Sequence, residues 1–418
     1  MRHLYASSES SINHNFLRLW RAQAVSVLGT CVTSLALPLV AVNTLHASPM
    51  EMSWISVMEA LPMILVCLYG GVWVDRSKRV PIMIGRDLIS ACALVFVPLA
   101  QILGCLSIPS LCVVTFICFS AEAVGGVAQQ AYLASLLGGE RLIEAYGRIA
   151  LSSGVSQAIG PVIAGFLAET ISPTIALVVD ACTFLFSAAT IRAIDFVEPK
   201  PPVVENESAW EAIKLGFMVV WRSPILRMLM LQASLFFFVN QMSVALLILK
   251  ASRELGISAA GIGFAYMSGG GGSLIFSLFA ENLVKKLGVG RAMGLGFAVC
   301  ALGWAGIATL TKGDEHCLVE FGMFYALLVV GTVMWNMTYA VARSRYAPPE
   351  SLGRVISTMR FCVSIPEPLG ALLGGSLATA FGFRRTFYVI AVLAVLIALF
   401  SLVKSHTLMP SKSDDAIF

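Results

Sequence analysis

Apolar runs of helical length begin near residues 20, 52, 80, 110, 149, 174, 226, 259, 292, 319, 355 and 386, divided by short polar or Pro/Gly-bearing turns. Each approaches the roughly 20 residues an α-helix needs to cross a hydrocarbon core of about 30 Å. Helices are the form to expect, because lipid offers no partner for an open backbone group, and a β-barrel would read as alternating segments of about ten residues. The pattern predicts an all-α membrane protein of about twelve transmembrane helices.

The longest polar stretch, Asp195 to Trp210, falls near the midpoint and carries Glu198-Pro-Lys-Pro-Pro and Glu205-Asn-Glu-Ser. It divides the chain into a six-helix bundle over 1–194, a linker over 195–225, a second six-helix bundle over 226–404 and a tail over 405–418. After it, Trp210, Ile213, Phe217 and Trp221 alternate with Lys214, Arg222 and Arg227, which suits a helix lying in the cytoplasmic interface. An extended start of the seventh span is the alternative. A repeat supports the division into pseudo-symmetric halves. Gly147-Arg148-Ile149 returns as Gly353-Arg354-Val355 at an offset of 206, and Gly160 with Ala164-Gly165 returns as Gly370 with Gly374-Gly375 at an offset of 210. Small residues let helices approach closely, so one packing surface is expected once in each half.

Of the 418 residues, 58% are apolar and 12% charged, against roughly 25% charged in a soluble domain. A secreted enzyme, a DNA-binding domain and a disordered scaffold are excluded, and nucleic acid is not an expected partner. Assigning every second connection to one side collects 23 Lys and Arg there, including Arg76, Lys78, Arg79 and Arg86 after the second span. The other side keeps Lys250, Arg253, Lys312, Arg384 and Arg385. The positive-inside rule then puts both termini in the cytoplasm of a multi-pass protein of the inner (plasma) membrane. Met1 to Asn15 is polar and lacks the apolar core of a signal peptide, so the first run should be retained. Ten single cysteines without a CxxC pair or a histidine cluster read as small core residues, and neither a metal nor another cofactor is expected. No GxxxxGK[ST] loop is present, so ATP is not expected to act directly.

The second connection reads Gly70-Gly71-Val-Trp-Val-Asp75-Arg76-Ser-Lys78-Arg79. Gly71 permits a close helix crossing, Asp75 can cap or pair, and the cations hold the turn at the surface. This segment resembles the signature of the major facilitator superfamily, and the resemblance implies a gate latch between two bundles, made by Gly71, Asp75, Arg76 and Arg79. The second-half copy, Ser277 to Arg291, has Lys285 where an acid would stand. In the fifth span, Ser156-Gln-Ala-Ile-Gly160-Pro161-Val-Ile-Ala164-Gly165 is similar to the Gly-Pro element of antiporters in that superfamily. Gly160, Pro161 and Gly165 are then implied to kink and pack the helix against proton leak; read from the residues alone, they make an ordinary kink. Asn15-Phe-Leu-Arg18-Leu-Trp20, Ala60-Leu-Pro62, Asp180-Ala-Cys-Thr-Phe184 and Trp221-Arg-Ser-Pro224 resemble the bacterial branch of macrolide and chloramphenicol efflux proteins and enterobactin exporters.

Five acids lie within the predicted spans: Glu59, Asp87, Glu122, Asp180 and Glu367. A carboxylate at mid-bilayer is costly and is usually paired, protonated or turned to a water-filled cavity. No histidine falls in a span, so a driving proton would have to ride on one of these carboxylates. Glu122, about 18 Å into the fourth span, is the first candidate for proton carrier or counter-ion to a cationic substrate. Glu59 is the second. Glu367 is the third, with Arg360 two turns away as a partner. Asp180 and Asp87 lie nearer span ends, where a packing hydrogen bond is the alternative role. Phe236, Phe237, Phe238, Met242, Trp304, Trp335 and Tyr339 are read as core or lipid-facing, with an apolar drug cavity as the alternative, and Gly269 to Gly272 as tight packing or a hinge.

The expected activity is alternating-access export of an amphiphilic small molecule, a drug or a siderophore, in exchange for protons, by a monomer in the lipid bilayer. An importer or symporter of a nutrient or siderophore shares the fold, and Gly160-Pro161 counts against it. A non-transporting receptor or assembly factor would need no intramembrane acids.

Overall fold

A computed structural model describes residues 2–137, 139–194, 209–312 and 316–408. The helices are α1 (Arg2–Leu39), α2 (Pro49–Asp75), α3 (Arg79–Ile102), α4 (Ile108–Leu136), α5 (Gly139–Thr170), α6 (Pro173–Arg192) and α7 (Ala209–Arg222), followed by α8 (Pro224–Leu249), α9 (Ala259–Leu287), α10 (Val289–Thr309), α11 (Cys317–Tyr346), α12 (Leu352–Ser364) and α13 (Pro366–Leu408). Serine starts several of them. Ser107, Ser172, Ser223 and Ser258 each accept a hydrogen bond from a backbone N–H of the first turn, and proline follows within two residues in the first three.

Among the described residues, eleven helical stretches are long and apolar enough to cross a membrane. The last, Pro349–Val403, runs 55 residues and is broken at Gly382, whose φ of 80° leaves the helical region. At 1.5 Å per residue it is long enough for two crossings of a core of about 30 Å, which brings the spans to the expected twelve.

The chain forms two compact units, 1–45 with 61–209 and 46–60 with 210–418. In the first, α1 packs on α5 and α6, and α3 on α4 and α6; in the second, α8 and α10 pack on α13, and α10 and α9 on α11. The halves repeat at an offset of 210 residues. The starts of α2 and α9 obey it, as do those of α3 and α10, and so do two π-helical turns, Val40–Thr44 after α1 and Lys250–Glu254 after α8. His46, with φ of 52°, is matched by Gly256 at 72°.

The repeated glycines carry the close crossings expected of them. A Cβ on Gly160 would stand 2.4 Å from Cys31 Cβ on α1, and one on Gly370 would stand 2.2 Å from the Phe238 carbonyl oxygen on α8. Each marks contact with the first membrane-spanning helix of its own half of the chain. The Gly147 and Gly353 pair differs, since a Cβ at either meets nothing within 4 Å.

Two cations depart from the loop positions the charge count gave them. Arg86 is the eighth residue of α3 and is buried, and Lys250 continues α8 into its π-turn with no exposure. Lys250 Nζ is 3.0 Å from Glu254 Oε1 and 5.9 Å from the Phe387 ring, so an ion pair and an aromatic face compensate its burial.

The stretch read as an interfacial helix or an extended seventh span is a separate helix, α7, ended before the Ser223-Pro224 cap of α8. It rests on α12, where Thr358 Oγ1 donates to the Ile213 carbonyl and Gly216 leaves no room for a Cβ beside Thr358 and Arg354. Its Trp210, Phe217 and Trp221 are exposed. The linker residues 195–208 and the tail from 409 lie outside the described residues.

Candidate functional site

The first unit buries a charged cluster among α1, α3, α4 and α6. Arg86 and Asp87 are consecutive on α3, and the guanidinium turns back onto its neighbour, with Nε 2.8 Å and Nη2 2.6 Å from Asp87 Oδ1. Its Nη1 points to α4, 3.6 Å from Glu122 Oε2 and 3.4 Å from Gln129 Oε1. Asp87 is fully buried and the Arg86 side chain is 5% exposed, whereas the Glu122 side chain is 45% exposed. Glu122 is the fifteenth of the 29 residues of α4, its midpoint.

Asp180 on α6 completes the group. Thr33 of α1 donates to its Oδ2 and Thr183 to its Oδ1, at 2.5 and 2.9 Å. Ser187 of α6 stands beside Asp87, and Asp87 Oδ2 and Ser187 Oγ are both buried. Three carboxylates thus share one guanidinium, and with all of them ionised the cluster carries two uncompensated negative charges. Unpaired charge in a low-dielectric interior is expensive, so the arrangement has the chemistry to take up a proton or a cation.

Two glycines make the cluster possible. A Cβ on Gly125 of α4 would lie 2.0 Å from Arg86 Cδ, and one on Gly29 of α1 would lie 2.1 Å from both Asp180 Oδ1 and Thr183 Oγ1. Sequence reading had Glu122, Asp87 and Asp180 as separate candidates; it missed Arg86 as their shared partner, and with it Gly125 and Gln129. The signal was an Arg-Asp dipeptide placed past Pro81, inside an apolar run.

The remaining candidates fall in the second unit. Glu59 is part-buried within Coulombic range of Tyr266, whose ring stacks on Tyr325 with centroids 4.3 Å apart. Arg360 and Glu367 were expected to face each other along one helix. Ile365 separates α12 from α13 but keeps helical dihedrals (φ −60°, ψ −43°), and Glu367 and Arg360 interact electrostatically, with Arg360 exposed.

At the positions 210 residues beyond Arg86, Asp87 and Gly125 stand Gly296, Phe297 and Trp335. Here the aromatic side is large and the α10 side small, since a Cβ on Gly296 would sit 3.0 Å from the Trp335 nitrogen. Trp335 packs against Phe236 at 4.2 Å, Tyr339 at 5.1 Å and Phe297 at 5.7 Å. These residues, with Met242 and Trp304, are buried core. Gly269 likewise serves packing, 2.7 Å from Tyr325 Cε1 by its Cβ position.

Of the two motifs, the α2–α3 turn places Arg76 and Arg79 at its ends, both engaged in interactions, while the side chain at Asp75 and the surroundings of Gly71 lie outside the described residues. Gly160 and Pro161 lie inside α5, with Pro161 and Gly165 buried.

A family profile described as Major Facilitator Superfamily matches residues 19–343 and 229–415. The MFS-type transporter YfiS of Bacillus subtilis (strain 168) is 26% identical over 405 residues, covering 93% of this chain and 92% of that protein. Macrolide efflux protein A of Streptococcus pyogenes is 24% identical over 395 residues, covering 92% and 94%. The multidrug efflux pump Tap of Mycolicibacterium fortuitum is 24% identical over 388 residues, covering 86% and 88%. Among solved structures, a single-residue mutant of the nucleoside transporter NupG superposes with a TM-score of 0.81 at 10% identity, covering 93% of this chain and 99% of that one. A bacterial homologue of the lysosomal transporter Spinster gives 0.74 at 15% identity, covering 95% and 98%.

Proposed function

Because the chain belongs to the major facilitator superfamily, we propose that this multi-pass transporter exports an amphiphilic small molecule in exchange for protons. The cluster of Arg86, Asp87, Glu122 and Asp180 carries the reading. It concentrates three acids on one base in the interior of a unit, and its most exposed member, Glu122, sits halfway along a spanning helix.

Glu122 is the proton carrier. When ionised it is held by Arg86; when protonated it releases the guanidinium to Asp87 alone, so proton binding alters the charge offered to a substrate. Glu59, with its tyrosine pair, is a second acidic contact for a cationic group of the cargo, and Glu367 with Arg360 a third. The names of two relatives, a macrolide efflux protein and a multidrug efflux pump, support export and a drug-like cargo; a siderophore is the other amphiphile in view.

The halves 1–194 and 226–404 rock about the linker 195–225, latched by Gly71, Asp75, Arg76 and Arg79, while Gly160, Pro161 and Gly165 keep α5 sealed against α1. The basic connections face the cytoplasm of the plasma membrane, both termini with them, and one chain suffices.

The test is uptake into everted membrane vesicles energised by an acidic interior, over a panel of antibiotics and ferric and iron-free siderophores. Uptake of at least one amphiphile that collapses when a protonophore dissipates the gradient is expected. Uptake indifferent to the gradient, or accumulation in the opposite direction, would overturn the reading.

A further inference from the structure

The outer surface of α3 and α4 carries an open groove in two connected parts. The first, of about 620 Å³, is lined by Trp73, Lys78, Pro81, Gly85, Ile89 and Phe116, with Arg86 at its floor. The second, of about 710 Å³, runs on past Leu88, Cys92, Phe96 and Val113, and the two share Ile89 and Ile117. Leu88, Ile89, Phe96, Val113 and Trp73 are between 44% and 58% exposed, an apolar surface that only lipid can cover in a membrane-spanning chain.

Among the lining residues the one exposed cation is Lys78, at the N-cap of α3 where that helix begins, while Arg86 is buried farther along. From Lys78 to Ile89 the helix rises about 16 Å, close to half of a hydrocarbon core of about 30 Å. The first part of the groove is therefore one leaflet deep, with its cation at headgroup level and its apolar walls at tail level.

We propose that this groove is a binding site for one anionic glycerophospholipid of the leaflet at the Lys78 end. Its phosphate sits at Lys78, and one acyl chain fills the trough along Gly85 and Ile89. The chain closes the lipid-facing side over Arg86, so the Arg86–Asp87 pair stays shielded on that side while Glu122 remains open on the other.

Trp73 reports on the site directly. The full chain is reconstituted in phosphatidylcholine vesicles doped with dibrominated phosphatidylglycerol or dibrominated phosphatidylcholine, and the Trp73 emission is taken as the difference between the wild type and Trp73→Phe. Half-quenching is expected at a brominated mole fraction about fivefold lower for phosphatidylglycerol, the preference that one basic side chain at an anionic surface supports. Gly85→Leu puts a side chain into the trough from a position where a Cβ meets nothing within 4 Å, and should abolish the preference. Lys78→Gln should abolish it too. Equal quenching by the two lipids in the wild type overturns the proposal, as does a preference that survives either substitution.

Discussion

Arg86 runs through the space that a side chain at Gly125 would fill, its Cδ 2.0 Å from where a Cβ would stand. The contact lies near the root of the arginine, where Cβ and Cγ are also within 3.1 Å, so the side chain cannot swing aside at its tip alone. One small residue on α4 thus fixes the guanidinium between Asp87 and Glu122.

Gly125→Ala should destabilise the protein by about 1–3 kcal/mol, the usual cost of an extra carbon in a filled interior. The neighbouring Gly126→Ala is the control, because its Cβ meets nothing within 4 Å. Thermal unfolding in detergent should show a lowered midpoint for the first and an unchanged or slightly raised one for the second.

The repeated glycines should divide in the same manner. Gly160→Ala and Gly370→Ala force α5 from α1 and α13 from α8, and both should lower the unfolding midpoint. Gly147→Ala and Gly353→Ala, placed in open helix, should be neutral or stabilise by about 0.4–1 kcal/mol.

Lys250 gives an asymmetric pair of variants. Glu254→Ala leaves an ammonium of zero exposure without its partner and should cost about 3–5 kcal/mol, whereas Lys250→Met leaves a carboxylate that is 31% exposed and should cost much less. Chemical or thermal unfolding of the two variants measures the difference directly. Equal costs would mean that water reaches Lys250.

The architecture was legible because hydropathy and the 210-residue echo of Gly160 in Gly370 report on backbone constraints that lipid enforces everywhere. The site was only half legible. Glu122, Asp87 and Asp180 stood out as acids in apolar runs, but Arg86 follows Arg76, Lys78 and Arg79 so closely that it read as one more turn cation. Its burial depends on a glycine 39 positions away, a pairing that no local pattern encodes. The second unit's answer to the cluster, Gly296 against Trp335, was likewise hidden until the offset aligned it with Arg86 and Gly125.

Proton coupling through Glu122 is tested most directly by Glu122→Gln in proteoliposomes, comparing substrate uptake driven by a pH gradient with counterflow exchange in its absence. The account predicts that gradient-driven uptake is lost while exchange, which moves no net proton, persists. Full gradient-driven uptake by Glu122→Gln would contradict it.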